Sequence, residues 1–306
     1  MAVITAHELY MFYTRERNIL RYLIYTLRRD PIHSVLTIAF WLWLEHVARP
    51  NLVPAEISLL NPSLLNALAN EALLCLQCLE HSDADDPLSY RAPIPLTATL
   101  IQKNLSLTFF NRKRHTIIAG IKSILNNVCC RIFTDILSHV YGIAGPTTSF
   151  TGPPTTVVVP SFPHAVFGPF MPSRPEWDLR DERLWYDRWW KPSSDVMDDD
   201  KTMFLTFSKG FLVTEEEVLY LFKTLFGEES VVEILMGCLL EEDRVPQEEA
   251  LYATMLVDSV TMVDRILTGK RLVKYKINGK DIWARKYEQR QKLTPPSTTV
   301  AQPRMF

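Results

Sequence analysis

Hydrophobic residues recur every three or four positions over residues 5–142, and this spacing predicts helices. Asp-Pro at 30–31 and Asn-Pro at 61–62 are typical of helix starts, because a capping side chain precedes a first-turn proline. The last helix is predicted over 116–141, with Gly142 as its end. We therefore expect residues 5–142 to form a helical bundle domain.

A period of two replaces the helical spacing in the C-terminal part of the chain. Met203, Leu205 and Phe207 are apolar, and they alternate with Phe204 and Thr206 along one predicted strand. The first set is expected to face a core. The second set then faces water or a ligand, so the large aromatic ring of Phe204 in that set requires an explanation.

Further strands and helices are predicted around this first strand. The strands are 202–207, 231–236 and 250–257. One helix begins at the capping box of Thr214 and Glu217, and a second helix covers 259–268. Two extended pieces flank the hairpin signal Asn278-Gly279. The order is βαββαβ, in which both helices cover one sheet face and leave the other bare. The predicted fold class is α+β: an all-helical domain followed by a ferredoxin-like domain at 201–290.

The segment between the two domains has a different composition. Eight prolines fall between Gly145 and Pro175, a density that is incompatible with regular helix or central strand. Four of the seven tryptophans follow within residues 176–190. We expect residues 143–200 to be a Pro-rich linker with a Trp-rich segment, and residues 291–306 to be a disordered tail.

Several aromatic and polar side chains are predicted to share the bare sheet face. Alternation along the strands assigns to it Phe204, Thr206, Tyr252, Thr254, Trp283, Arg285 and Tyr287. Neighbouring aromatic rings on an open sheet form a platform on which unpaired bases can stack. The pattern therefore favours binding of RNA or another single-stranded nucleic acid.

The region 201–290 resembles the RNA recognition motif superfamily in its element order and in two residues. The family places an aromatic at the second position of a short first-strand consensus, which Phe204 matches. Its third-strand consensus, K/R-G-F/Y-G/A-F/Y-V-x-F/Y, aligns with 250–257. Tyr252 matches the third position, but Thr254 replaces the second stacking aromatic, and the leading basic residue and glycine are absent. The resemblance implies base stacking on Phe204 and Tyr252.

The whole chain also resembles a group of plant proteins to which no activity is assigned. Members of that group pair an N-terminal helical region with a divergent RNA-recognition-like domain. The matching stretches here are RRDP at 28–31, WLWLE at 41–45 and the strand at 277–287. This resemblance implies the two-domain architecture and adds nothing about function.

Positive charge is concentrated at one end of the predicted sheet domain. The formal net charge is −2 and the isoelectric point is near 6.4, so no global field attracts nucleic acid. Residues 201–264 carry four Lys or Arg against thirteen Asp or Glu, whereas 265–290 carry nine against two. Phosphate contacts are therefore expected on the last strand and its turn, from Arg285, Lys274, Lys276 and Lys280.

Other functional hypotheses remain open beside nucleic-acid binding. The sheet could have lost that activity and dock a protein, or be covered by the Trp-rich segment at 176–190. A protein partner is also expected for the helical domain or for the Trp-rich segment.

Enzymatic and metal-binding functions are not indicated. The pair Cys75 and Cys78 lacks a second pair at matching spacing, so buried cysteines are favoured over zinc. No phosphate-cradling glycine loop or catalytic motif is present, and we expect neither a cofactor nor enzymatic activity.

The apolar run at 34–44 is shorter than the roughly 20 residues that span a bilayer. We expect no membrane partner and a nuclear or cytoplasmic protein.

Overall fold

A computed structural model of the protein describes residues 6–48, 52–80, 93–102, 106–142, 157–172, 197–208, 213–237 and 250–288. These residues form a helical region and a region of mixed helix and sheet, and each has its own apolar core. The α+β class predicted from the sequence is therefore confirmed. The predicted tail at 291–306 lies outside the described residues.

Short helices joined by tight turns make up the first region. They are α1 Ala6–Phe12, α2 Thr14–Arg21, α3 Pro31–Val47, α4 Leu52–Ala55, α5 Pro62–Glu80, α6 Pro95–Ile101, α7 Leu107–Arg112, α8 Arg114–Ile124, α9 Cys130–Ile132 and α10 Thr134–Val140. Turns of π-helix at Tyr22–Thr26 and Leu125–Cys129 follow α2 and α8. Their buried residues form one continuous cluster, so this region is a single packed unit.

Helix α3 lies at the centre of the helical region. Its start is capped by Asp30, whose carboxylate accepts a hydrogen bond of 2.9 Å from the amide of His33. Its indole side chains Trp41 and Trp43 are buried. A β-carbon on Gly120 of α8 would lie 2.5 Å from Cδ1 of Trp43, so the close approach of the two helices requires glycine.

The single helix predicted over 116–141 is corrected to a series of pieces. The backbone leaves helical geometry at Phe133, and the segments Arg114–Ile132 and Thr134–Val140 meet at 76°. The hydroxyl of Thr134 donates to the carbonyl of Cys130 at 2.7 Å, a contact that often bends helices. Apolar spacing alone did not reveal this bend.

None of the individual helices in the described ranges is long and apolar enough to cross a membrane. The two segments on either side of the bend at Phe133 meet the length and composition test only when taken together. Helix α3, which contains the most apolar stretch of the sequence, is buried over most of its length.

Within the Pro-rich linker predicted over 143–200, residues 157–172 pack against the helical core instead of remaining extended. Four apolar side chains of this stretch are buried in the helical core: Val157, Val159, Phe167 and Phe170. The backbones of His164 and Gly168 exchange two hydrogen bonds of 2.8 Å, which close a compact loop. Apolar residues between the prolines thus provide enough surface to pack. The Trp-rich segment at 176–190 lies outside the described residues.

Five antiparallel strands form the sheet of the second region. They are β1 Thr202–Phe207, β2 Val231–Gly237, β3 Tyr252–Val257, β4 Leu272–Ile277 and β5 Lys280–Lys286. The strand order is β2-β3-β1-β5-β4, so β1 is central and β2 and β4 are the edges. The helices are α11 Asp198–Lys201, α12 Glu215–Phe226 and α13 Val260–Leu267.

Helices α12 and α13 pack on one face of this sheet. Thr214 and Glu217 form the predicted capping box at the start of α12. The alternating burial of β1 and β3 follows the predicted faces, with Met203, Leu205 and Ala253 in the core. Phe204 and Tyr252 therefore lie on the face away from the helices.

The helical region and the sheet region contact each other through α8 and α13. The carboxylate of Asp264 accepts hydrogen bonds from the amides of His115 and Thr116 at 3.0 and 2.9 Å. The Thr116 hydroxyl donates a third, at 2.5 Å. A side chain of one region thus caps a helix of the other. The side-chain amide of Asn111 adds a hydrogen bond of 3.1 Å to the carbonyl of Gly269.

Candidate nucleic-acid interface

Two aromatic rings lie together on the sheet face opposite the described helices α12 and α13. The centroids of Phe204 and Tyr252 are 5.4 Å apart and their planes differ by 20°, which is an offset-stacked arrangement. Phe204 is directly opposite Thr254 in the register of β1 and β3, so Tyr252 reaches it diagonally. Both rings are partly exposed. The structure thus brings together the pair on which the sequence prediction depends.

A guanidinium group extends this pair across the centre of the sheet. Arg285 of β5 is directly opposite Phe204, and its Cζ lies 4.5 Å from the centroid of the ring. Strands β3 and β5 flank β1 on opposite sides. Phe204 is therefore held between a tyrosine ring on one side and a guanidinium on the other, in a cation–π contact. We call the row Tyr252, Phe204 and Arg285 the platform.

The edge strand β2 contributes a glycine to the same surface. Gly237 is directly opposite Tyr252, and a β-carbon on it would lie 2.1 Å from Cε2 of the tyrosine. The tyrosine ring therefore occupies the space above the glycine backbone. Gly237 was not among the predicted site residues, although a glycine in a strand can mark a place where another group approaches closely.

Trp283 carries a second cation–aromatic contact beside the platform. Its side chain is 37% exposed, and the Lys274 ammonium lies 5.3 Å from the ring. That ammonium also forms an ion pair of 2.6 Å with Asp281. A phosphate at this position would have to compete with a carboxylate for Lys274, so Lys274 is a weaker candidate than Arg285.

The remaining predicted residues divide between the two faces of the sheet. Thr206, Thr254 and Lys276 share the platform face by register, and Tyr287 follows β5 at the position of that face. Lys280 does not: its ammonium is 2.8 Å from both carboxylate oxygens of Glu217 on α12. Alternation with buried Ile282 explains this, because residues two apart on a strand share a face.

The described cysteines are buried, as the sequence predicted. Burial raises the pKa of Cys78 to about 11 and that of Cys75 further, which keeps both thiols protonated at neutral pH. Cys129 and Cys130 are likewise buried, and burial raises the pKa of each thiol. Within the part of the chain that the structure describes, no three His, Cys, Asp or Glu side chains are grouped to hold a metal ion.

No protein-family model, curated protein or solved structure shows a significant match to this chain. Functional inference therefore depends on the geometry of the platform and its surroundings. That geometry offers planar groups for stacking, an edge of lysine side chains, and a face that none of the described helices covers.

Proposed function

We propose that the protein binds RNA or another single-stranded nucleic acid through the platform. The observation that carries the proposal is the stacked row of Tyr252, Phe204 and Arg285 on the sheet face opposite the helices. Aromatic rings on a sheet face can stack with unpaired bases, and a guanidinium next to them can contact phosphate or stack on a base.

The strand order supports kinship with the RNA recognition motif. Without β4, the order β2-β3-β1-β5 and the two helices on one face support the predicted ferredoxin-like βαββαβ arrangement. Phe204 and Tyr252 match two stacking positions of that family. Phe204 lies in β1 and Tyr252 in β3, which are the two middle strands of this four-strand order. Strand β4 is an addition that widens the surface beyond β5.

Relative interaction strengths favour a base over the contacts already present on Phe204. A cation–π contact at an exposed site contributes about 0.5–1 kcal/mol. Stacking of a base on an aromatic side chain contributes about 1–3 kcal/mol. A base can therefore displace the Arg285 guanidinium from the ring, and the freed guanidinium is then available to a phosphate.

Docking of a peptide is the second candidate function for this surface. The observation that favours it is the exposure of apolar side chains on and beside the face: Leu235 is 60% exposed and Trp283 37%. An apolar peptide side chain would cover them. Such a partner would bind with little dependence on salt, whereas nucleic-acid binding weakens steeply as salt rises.

The test compares single-stranded RNA binding by the full chain and its variants. Wild-type protein is expected to bind a mixed-sequence RNA at low salt, and Phe204→Ala with Tyr252→Ala is expected to weaken binding at least tenfold. Tyr220→Ala is the matched control, because Tyr220 is an exposed aromatic on α12, on the helix side of the sheet. Absence of binding by wild-type protein, or equal binding by the double variant and the control, would refute the proposal.

A further inference from the structure

A pocket of about 170 Å³ lies where the helical region meets the sheet region. Its walls come from α7 and α8 on one side, and from α13, the following turn and the end of β5 on the other. We call it the junction pocket. Ligand pockets for drug-sized molecules usually enclose about 300–1,000 Å³, so this one suits a smaller group.

Cationic side chains dominate the lining of the junction pocket. Five of them line it: Arg114, Lys270, Arg271, Arg285 and Lys286. Two carboxylates face them. Asp264 already accepts three hydrogen bonds from α8, and Glu288 is exposed to solvent. The lining therefore has an excess of positive charge, which Asp199 and Asp200 beside Lys286 offset in part.

The inner cations of the pocket are held in place by the fold. Arg114 donates to the carbonyls of Leu79 and Glu80, and the Lys286 ammonium donates to the carbonyl of Thr202 at 3.2 Å. Burial lowers the pKa of Lys286 to about 8. An anion placed here would relieve the repulsion between fixed charges.

The neighbouring His115 responds to the same positive field. Burial is the main cause that lowers its pKa to about 3, and the charges of Arg114, Lys286 and Lys122 lower it further. The imidazole is therefore neutral and adds no charge to the pocket.

The outer cations are positioned to meet a ligand. Lys270 and Arg271 follow α13 and are exposed, and neither side chain has a hydrogen bond or ion pair with another described residue. They stand in the turn that forms the rim of the pocket. Exposed side chains without internal partners can reorient toward an incoming anion at low cost.

One residue, Arg285, borders both the junction pocket and the platform. Arg285 lines the pocket, and its Cζ lies 4.5 Å from the ring centroid of Phe204. A strand whose base stacks on Phe204 would pass Arg285, the residue at which the platform and the pocket adjoin. A small volume, an excess of positive charge and continuity with a stacking surface together suit a phosphate group.

We propose that the junction pocket binds a phosphate group of the nucleic-acid strand that stacks on the platform. This inference rests on the proposed function, and it adds a defined phosphate site formed jointly by the helical and sheet regions. The helical region then contributes directly to nucleic-acid binding through Arg114, a role that the sequence analysis did not assign to it.

The experiment measures the affinity of the full chain for a mixed-sequence single-stranded RNA over a range of salt concentrations. The pocket variant is Lys270→Gln with Arg271→Gln. The matched control is Lys223→Gln with Arg265→Gln, which removes the same charge from α12 and α13; the Arg265 guanidinium lies 5.9 Å from the ring of Phe226 on the helix layer. All four side chains are at least partly exposed, so the variants are expected to fold.

The expected result is a five- to tenfold weaker affinity for the pocket variant than for the control at moderate salt. The slope of log affinity against log salt is expected to become shallower by about 0.7, the value for one phosphate on a single strand. Loss of affinity should be the same for different RNA sequences, because phosphate contacts carry no sequence information.

The outcomes separate the two proposals. If wild-type protein binds and Phe204→Ala with Tyr252→Ala weakens binding, but the pocket variant behaves like its control, the phosphate site is refuted and the platform stands. If wild-type protein binds no RNA at low salt, the proposed function fails and the phosphate site fails with it. Weaker binding and a shallower slope for the pocket variant alone support the site.

Discussion

The ring of Tyr252 lies over Gly237, so closely that a β-carbon on the glycine would be 2.1 Å from Cε2 of the ring. The two residues are direct partners in the register of β2 and β3. Glycine at this position therefore determines where the tyrosine ring lies, and through it the offset stack with Phe204.

Replacement of this glycine is expected to break the ring pair. Gly237→Ala should displace the Tyr252 ring and lower the stability of the protein by about 1 kcal/mol. The nuclear Overhauser effects between the Tyr252 and Phe204 rings in NMR spectra should then disappear. The same change in a Tyr252→Ala background should instead be neutral or stabilising by about 0.5–1 kcal/mol, since alanine is favoured over glycine in a strand. Additive effects of the two substitutions would contradict this account.

The Asp264 carboxylate is expected to make the stability of the protein depend on pH. Burial raises its pKa from 3.8 to about 6, against the three hydrogen bonds, which lower it. The folded protein thus holds this proton more tightly than the unfolded chain. Its contribution is fully present below about pH 4 and is lost as the pH rises through about 6, by at most about 3 kcal/mol.

Substitution of Asp264 tests the sign of this dependence. Asp264→Ala removes the cap of α8 and should cost about 0.5–2 kcal/mol at pH 5, but less at pH 7.5, where the ionised carboxylate bears its desolvation cost. Denaturant unfolding at the two pH values measures the difference. Asp258→Ala, at an exposed site, is the control. A cost that increases with pH would overturn the assignment.

The contact between Gly120 and Trp43 predicts a destabilising substitution in the helical core. Helix propensity alone favours alanine over glycine by about 1 kcal/mol. Gly120→Ala should nevertheless destabilise by about 1–3 kcal/mol, because its β-carbon would lie 2.5 Å from Cδ1 of a buried indole. Thermal unfolding measures the sign, and an increase in melting temperature would show that the two helices can separate freely.

Lys280 is expected to affect stability and not nucleic-acid affinity. Its ammonium joins the β4–β5 turn to Glu217, and this contact, together with Asn278, lowers the pKa of Glu217 to about 2. Lys280→Gln should cost about 0.5–1 kcal/mol of stability. It should leave RNA affinity within twofold of wild type. A loss of affinity comparable to that of the platform variant would return Lys280 to the interface.

Local alternation was sufficient to predict the faces of the sheet. The positions of Phe204 and Tyr252 follow from a period of two, which each strand displays by itself. The same rule assigns Lys280 to the helix-covered face, where the structure has it. The expectation that Lys280 contacts phosphate was based on the charge of the region and did not apply that rule. Charge density along the sequence does not distinguish the two faces of a strand.

Contacts distant in sequence could not be predicted in the same way. Asp264 caps α8 from 149 residues away, and nothing near either residue indicates the partner. The bend at Phe133 coincides with a hydrogen bond from the Thr134 hydroxyl to a helix carbonyl, and apolar spacing carries no signal of either. The packing of residues 157–172 depends on apolar side chains between prolines, whose composition alone favoured an extended linker.

Both outer strands of the sheet carry features that discourage association with another molecule by strand pairing. The register of β2 shifts between Val231 and Glu233, which interrupts its ladder, and β4 presents Lys274 and Lys276 along the opposite margin. Two copies that approach edge to edge would meet an irregular backbone on one side and like charges on the other. Strand pairing between copies along either margin of the sheet is therefore disfavoured.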